Sequence, residues 1–156
     1  MKTMIDTQAM ATRMKIRKEV AFCLDKLHVE AECFGAAAAQ VFGRGERGKT
    51  QLRNLQNIAN STLKVSDVLD YVKRQTARMW EWRKEVTVTT RRVKDAQKIR
   101  LGADLLEFLS TKLANERKDV VKALDLTDPF TQQEVLLELI RGVIQQMVVH
   151  FEWALE

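Results

Sequence analysis

From Thr7 onward, apolar residues recur at Met10, Met14, Ala21, Leu24, Leu27, Ala31, Phe34, Ala38 and Val41. That spacing keeps one face of a helix apolar for about nine turns. Lys15, Arg17, Lys18, Asp25, Glu30 and Glu32 fall off the stripe as a mixed outer face, and Gly43 ends the helix. Residues 36–39 are all alanine, combining high helix propensity with small side chains that suit a close neighbouring helix. A second, shorter helix is expected from residue 51 to about 61, with Thr50 as N-cap and Leu52, Leu55, Ile58 and Ala59 inward. Ser66 then caps a third, with Val68, Leu69, Val72 and Thr76 inward and Lys73, Arg74 and Arg78 outward.

Beyond residue 78 the pattern is less regular. RMWEWRK, residues 78–84, sets Trp80 and Trp82 among Arg78, Arg83 and Lys84. Indoles beside cations stack on unpaired bases or fill a protein partner's pocket. Alternatively one is core and the other shields a helix end, since positions i and i+2 do not share a helix face. VTVTT, residues 86–90, is β-branched throughout, either an extended connection or a weak helix start. No second strand offers itself, so no sheet is expected. A fourth helix is predicted on the stripe Val93, Ala96, Ile99, Ala103, Leu106, Leu109 and Leu113, its first half carrying Arg91, Arg92, Lys94, Lys98 and Arg100. It either continues through Val120, Val121 and Leu124 or breaks near Asn115.

Asp128 and Pro129 form an N-cap with proline at the first helical position, and Thr131-x-x-Glu134 is a competing capping box. The helix that follows buries Leu136, Ile140, Val143, Met147, Phe151 and Ala154. Leu137, Ile144 and Val148 widen its apolar face, which is either central to the fold or part of a protein contact. With 1 proline and few glycines outside residues 43–48, the chain reads as all-α. The expected architecture is a single domain over residues 1–156, a bundle of about five helices with a Gly/Arg-rich loop after the first long one.

Charge changes the picture more than composition does. Residues 44–100 hold 15 Lys/Arg against 6 Asp/Glu, whereas residues 125–156 hold only Arg141 against 6 acids. Such polarity is the footprint of a polyanion-binding surface with an acidic end kept clear of it; the alternative is an ordinary solvated helix face. No apolar run approaches the roughly 20 residues of a membrane helix, and no secretory leader pattern opens the chain, so a cytoplasmic location is expected. Cys23 and Cys33 read as buried, reduced thiols. His28 flanks the first stripe and reads as packed or capping. With 2 histidines and neither Cys-x-x-Cys nor His-x-x-x-His spacing, no metal site and no cofactor are expected.

GRGERGKTQLR, residues 43–53, matches the phosphate-binding pattern G-x-x-x-x-G-K-[ST] through Gly43, Gly48, Lys49 and Thr50. That chemistry needs a strand leading into the loop and an acid at the end of another strand to hold magnesium. Here a helix precedes the loop and neither strand is present, which leaves a nucleotide hydrolase as an unsupported alternative. Paired Glu-x-x-Glu helices for a magnesium-dependent pyrophosphohydrolase are absent. Arg141 and His150 are too far apart in sequence for a helical ribonuclease of the HEPN type. No catalytic residues are assigned and no enzyme is expected.

Residues 49–78, KTQLRNLQNIANSTLKVSDVLDYVKRQTAR, resemble the small-subunit family of type III CRISPR–Cas effector complexes. The resemblance rests on Thr50-Gln51-Leu52-Arg53-Asn54-Leu55 opening a helix and on Tyr71, Gln75 and Arg78 closing the next. A later Gly102-x-x-Leu105-Leu106 and the apolar C-terminal helix also fit. It covers about half the chain and rests on helix patterns rather than chemical signatures. It implies a non-catalytic antiviral-defence subunit, stacked in several copies along a guide RNA–target duplex beside other effector subunits, with no membrane. Lys49, Arg53, Lys73, Arg74 and Arg78 would face nucleic acid. Arg44, Arg47, Arg83, Lys84, Arg91 and Arg92 join them on charge, and Trp80, Trp82 and Phe151 are candidate partner anchors. A pure protein-interaction module without nucleic-acid binding is the other class of reading.

Overall fold

The computed structural model describes residues 4–156, with side chains from residue 7 onward. The fold is mostly helical with one small sheet. Its helices are α1 (Met4–Lys26), α2 (His28–Phe42), α3 (Glu46–Ser61), α4 (Val65–Arg78), α5 (Trp80–Arg83), α6 (Leu101–Glu107), α7 (Leu113–Ala123) and α8 (Pro129–Ala154). A π-helical stretch, Phe108–Lys112, joins α6 to α7 without a break. No helix among the described residues is long and apolar enough to cross a membrane.

The first long helix bends rather than running straight. Leu27 leaves helical geometry (φ −93°, ψ 2°), and α2 starts at the next residue. The expected stripe is correct from Leu27 onward but out of phase before it: Met10, Met14 and Ala21 are exposed, while Ile16, Val20 and Cys23 are buried. Residues 7–15 are all exposed, so burial selects no apolar face there.

α3 starts five residues earlier than the sequence suggested. Gly43 takes a left-handed φ of +65°, and Gly45 is the N-cap with extended backbone. Glu46 then lies in the first turn, where the helix dipole favours an acid. Thr50 is therefore inside the helix rather than at its cap. Ser66 is likewise not the cap of α4. The Thr62 hydroxyl instead donates to Asp67 Oδ2 at 2.6 Å and accepts from the Lys64 amide at 3.0 Å.

Two antiparallel strands overturn the expected helix over residues 91–100. β1 (Glu85–Val88) pairs with β2 (Gln97–Arg100), with Val86 opposite Ile99. Val86, Val88 and Ile99 point into the core and their neighbours point out, the period-2 alternation of a half-buried ribbon. The ribbon sits on α2, where Gln40 Nε2 donates to the Thr87 carbonyl at 2.8 Å.

α8 is the centre of the molecule. Asp128 caps it, accepting from the Phe130 amide at 3.2 Å, and Pro129 occupies the first position; Thr131 donates to Asp128 rather than forming a cap of its own. Ten apolar residues of α8 are buried, Val135 to Phe151, over more than half of the helix circumference, each contributing roughly 1.5–3 kcal/mol when fully removed from water. Ala154 is exposed, past the end of that core. α2 makes the most extensive contact with α8. Gly35 sets their spacing: a Cβ there would lie 2.6 Å from the Met147 carbonyl and 2.7 Å from His150 Cβ.

Candidate nucleic-acid interface

All eleven cations singled out from the sequence are exposed, and several different elements carry them. Arg44, Lys49 and Arg53 do converge. With Leu52 and Gln56 they form one wall of a groove of about 660 Å³, whose other wall is the end of α8 with Glu152 and the residues just after it, including Glu156. The start of α3 brings them together, because residues 49, 53 and 56 lie on one helix face and Arg44 leads into that helix from the turn. Lys49 lies 3.9 Å from Glu46, and Arg44 and Arg53 have no ion pair among the described residues.

Arg47 has a different task. Its Nε lies 3.1 Å from Glu81 Oε2 as an ion pair, and the Glu81 side chain is only 5% exposed. The other oxygen, Oε1, is buried without a partner, so this arginine is the counter-charge of a buried carboxylate. Gly48 also serves packing. A Cβ on it would lie 2.4 Å from Phe42 Cβ and 3.3 Å from the Phe151 ring. In the phosphate-loop match, Gly48, Lys49 and Thr50 belong to α3 itself, and α2 precedes them where a strand would be required.

The remaining cations are dispersed. Lys73, Arg74 and Arg78 line the outer face of α4, Arg91 and Arg92 lie in the β1–β2 connection, and Arg83 donates to the Ala77 carbonyl at 3.3 Å. Lys84 stands 5.8 Å above the Trp80 ring, which is 53% exposed. The other two candidate anchors face inward. Trp82 is fully buried between Phe42 and Tyr71, and Phe151 is buried under α3. Neither offers a surface to a partner, which leaves Trp80.

Arg141, the lone cation of the acidic end, is tied into the fold. Its Nε donates to the Ala59 carbonyl at 2.7 Å and its Nη2 to the Thr62 carbonyl at 2.9 Å, satisfying the C-terminus of α3, while Nη1 pairs with Glu138 at 2.7 Å. Nine residues further along α8, His150 faces the opposite side of the helix.

His150 instead meets His28. Their Nε2 atoms lie 3.0 Å apart with the rings edge to face. Glu32 completes a cluster whose ligand atoms all lie within 4.8 Å of one another. Burial, reinforced by His28 and further by Arg92, holds His150 below the ordinary imidazole range, with Glu32 acting in the opposite direction. Sequence spacing gave no sign of this cluster, since the two histidines are 122 positions apart. The one legible hint was the i, i+4 relation of His28 and Glu32.

No family model matches the chain, and no curated protein or solved structure matches it significantly.

Proposed function

We propose that the chain is a non-catalytic subunit that holds a nucleic-acid backbone, and that it does so as part of an RNA-guided complex of the type III CRISPR kind. The observation that carries the backbone-binding reading is the convergence of Arg44, Lys49 and Arg53 on one groove at the start of a 16-residue helix. Arg44 and Lys49 flank the first turn of that helix and attract phosphate through their own charge and through the helix dipole, and Arg53 adds its charge one turn further along. They contact backbone oxygens rather than base edges, so binding is independent of base sequence. The membership in an RNA-guided assembly rests on the likeness of residues 49–78, with α4 closing on Tyr71, Gln75 and Arg78.

The test is charge reversal of Arg44, Lys49 and Arg53 together, leaving Arg47 in place. Each phosphate neutralised on a single strand adds about −0.7 to the slope of log K against log salt. The triple variant should therefore bind RNA more weakly, with a slope shallower by about 2. Unchanged affinity and slope would remove the groove from consideration.

A protein-interaction role has its own support. Val149 and Trp153, one turn apart on α8, are 54% and 71% exposed. It calls for partner-dependent stability that Trp153→Ser abolishes, in a chain showing no salt-sensitive RNA binding.

A further inference from the structure

We propose that His28, Glu32 and His150 form a binding site for a divalent transition-metal ion of the zinc class. The backbone places the donors without loops. His28 opens α2, Glu32 follows one turn later on the same face, and Gly35 extends that face by three residues. The missing Cβ of Gly35 lets α2 approach α8 at the level of His150, so imidazoles from two helices meet directly. All three residues are half-buried, held by the core yet open to an ion from solvent.

The imidazole separation fits one ion. At metal–nitrogen distances of about 2.0–2.1 Å, two imidazole nitrogens sit about 2.9 Å apart for a right angle at the metal and about 3.3 Å for a tetrahedral one. The Nε2–Nε2 distance of 3.0 Å falls between them. Glu32 supplies the negative charge; the three ligand atoms lie within 4.8 Å of one another, and a side-chain rotation of Glu32 brings its oxygen to the roughly 3.3 Å from each nitrogen that a shared tetrahedral ion requires. Two imidazoles and one carboxylate suit zinc or ferrous iron, whereas magnesium and calcium select oxygen donors. Three protein ligands leave at least one coordination position for water. This inference is independent of the RNA-binding groove, which lies at the start of α3.

The competing arrangement is a single proton shared between the two imidazoles. The two are separated by titrating zinc into the untagged, chelator-treated full chain. The proposal expects one zinc per chain by calorimetry and a rise in Tm of about 5–10 °C at zinc one hundred times its Kd, with none from magnesium. The chain has only 2 histidines, so the wild-type protein carries a second readout: both ring signals should shift together in NMR at one equivalent of zinc. Glu32→Gln and His150→Asn should each weaken zinc binding by at least about 100-fold, more than changes to groups that only orient ligands. Absence of stoichiometric zinc binding overturns the proposal. So does zinc that leaves either histidine signal unmoved, or that binds the folded variants as tightly as the wild type.

Discussion

Replacing Arg47 by alanine should destabilise the fold rather than abolish phosphate contact. Glu81 is 5% exposed, one of its oxygens has no partner, and Arg47 Nε stands 3.1 Å from the other. Removing one member of a buried ion pair costs about 3–5 kcal/mol, because the surviving charge is stranded. The Arg47 side chain is itself 59% exposed, so solvent screening brings the expected loss to about 2 kcal/mol. For a chain of this size that lowers Tm by roughly 4–8 °C. Urea denaturation of wild type, Arg47→Ala, Glu81→Gln and the double variant forms a cycle with an expected coupling of at least about 1 kcal/mol. RNA affinity, measured where all variants are folded, should fall less for Arg47→Ala than for Arg53→Ala. An Arg47→Ala protein with unchanged stability but a loss of RNA affinity equal to that of Arg53→Ala would refute the reasoning.

Other outcomes follow from the same contacts. Gly48→Ala should cost about 1–3 kcal/mol by urea midpoint, because its Cβ meets Phe42 at 2.4 Å; a neutral result would contradict a packing role. Trp82→Ala should cost about 3–5 kcal/mol and Trp80→Ala within about 0.5, since the first is fully buried and the second 53% exposed. Burial raises the thiol pKa of both Cys23 and Cys33. At pH 8 a thiolate-specific reagent should therefore label native protein far more slowly than urea-unfolded protein. A raised thiol pKa means the folded state holds the proton longer. The associated stability is fully present below the ordinary thiol range and is lost as pH climbs above about 8.5 toward the raised values; stability that increases over that range would contradict it.

Where local chemistry was strong, the sequence was informative. Asp128 and Pro129 specified the start of α8, and its wide apolar face correctly allowed a central position. Lys73, Arg74 and Arg78 were legible as the outer face of α4 because apolar period and charge agreed there. The hairpin was not. QKIR has a single apolar residue, Ile99, and only its pairing with Val86 makes it a strand. Val93, Ala96 and Ile99 therefore imitated a helical stripe that the ribbon overrides. The phase of α1 was also misread, because residues 7–15 are all exposed and burial does not make the apolar positions matter there.

The candidate groove was partly legible. Residues 43–53 drew attention through a motif match that the fold does not support, since helix α2 stands where a strand would be. Charge was the durable part of that signal. What it did not convey was the division of labour: Arg44, Lys49 and Arg53 line a groove, while Arg47 serves Glu81. Sequence proximity cannot distinguish them, because the difference is made by a carboxylate 34 positions away.

The most direct measurement is the salt dependence of single-stranded RNA binding by wild type and by the Arg44→Glu, Lys49→Glu, Arg53→Glu variant, at equal folded fraction. Wild type should show a slope of about −2 or steeper, and the variant should lose most of it along with its affinity. Equal slopes and equal affinities in the two proteins would contradict a phosphate-binding groove at the start of α3.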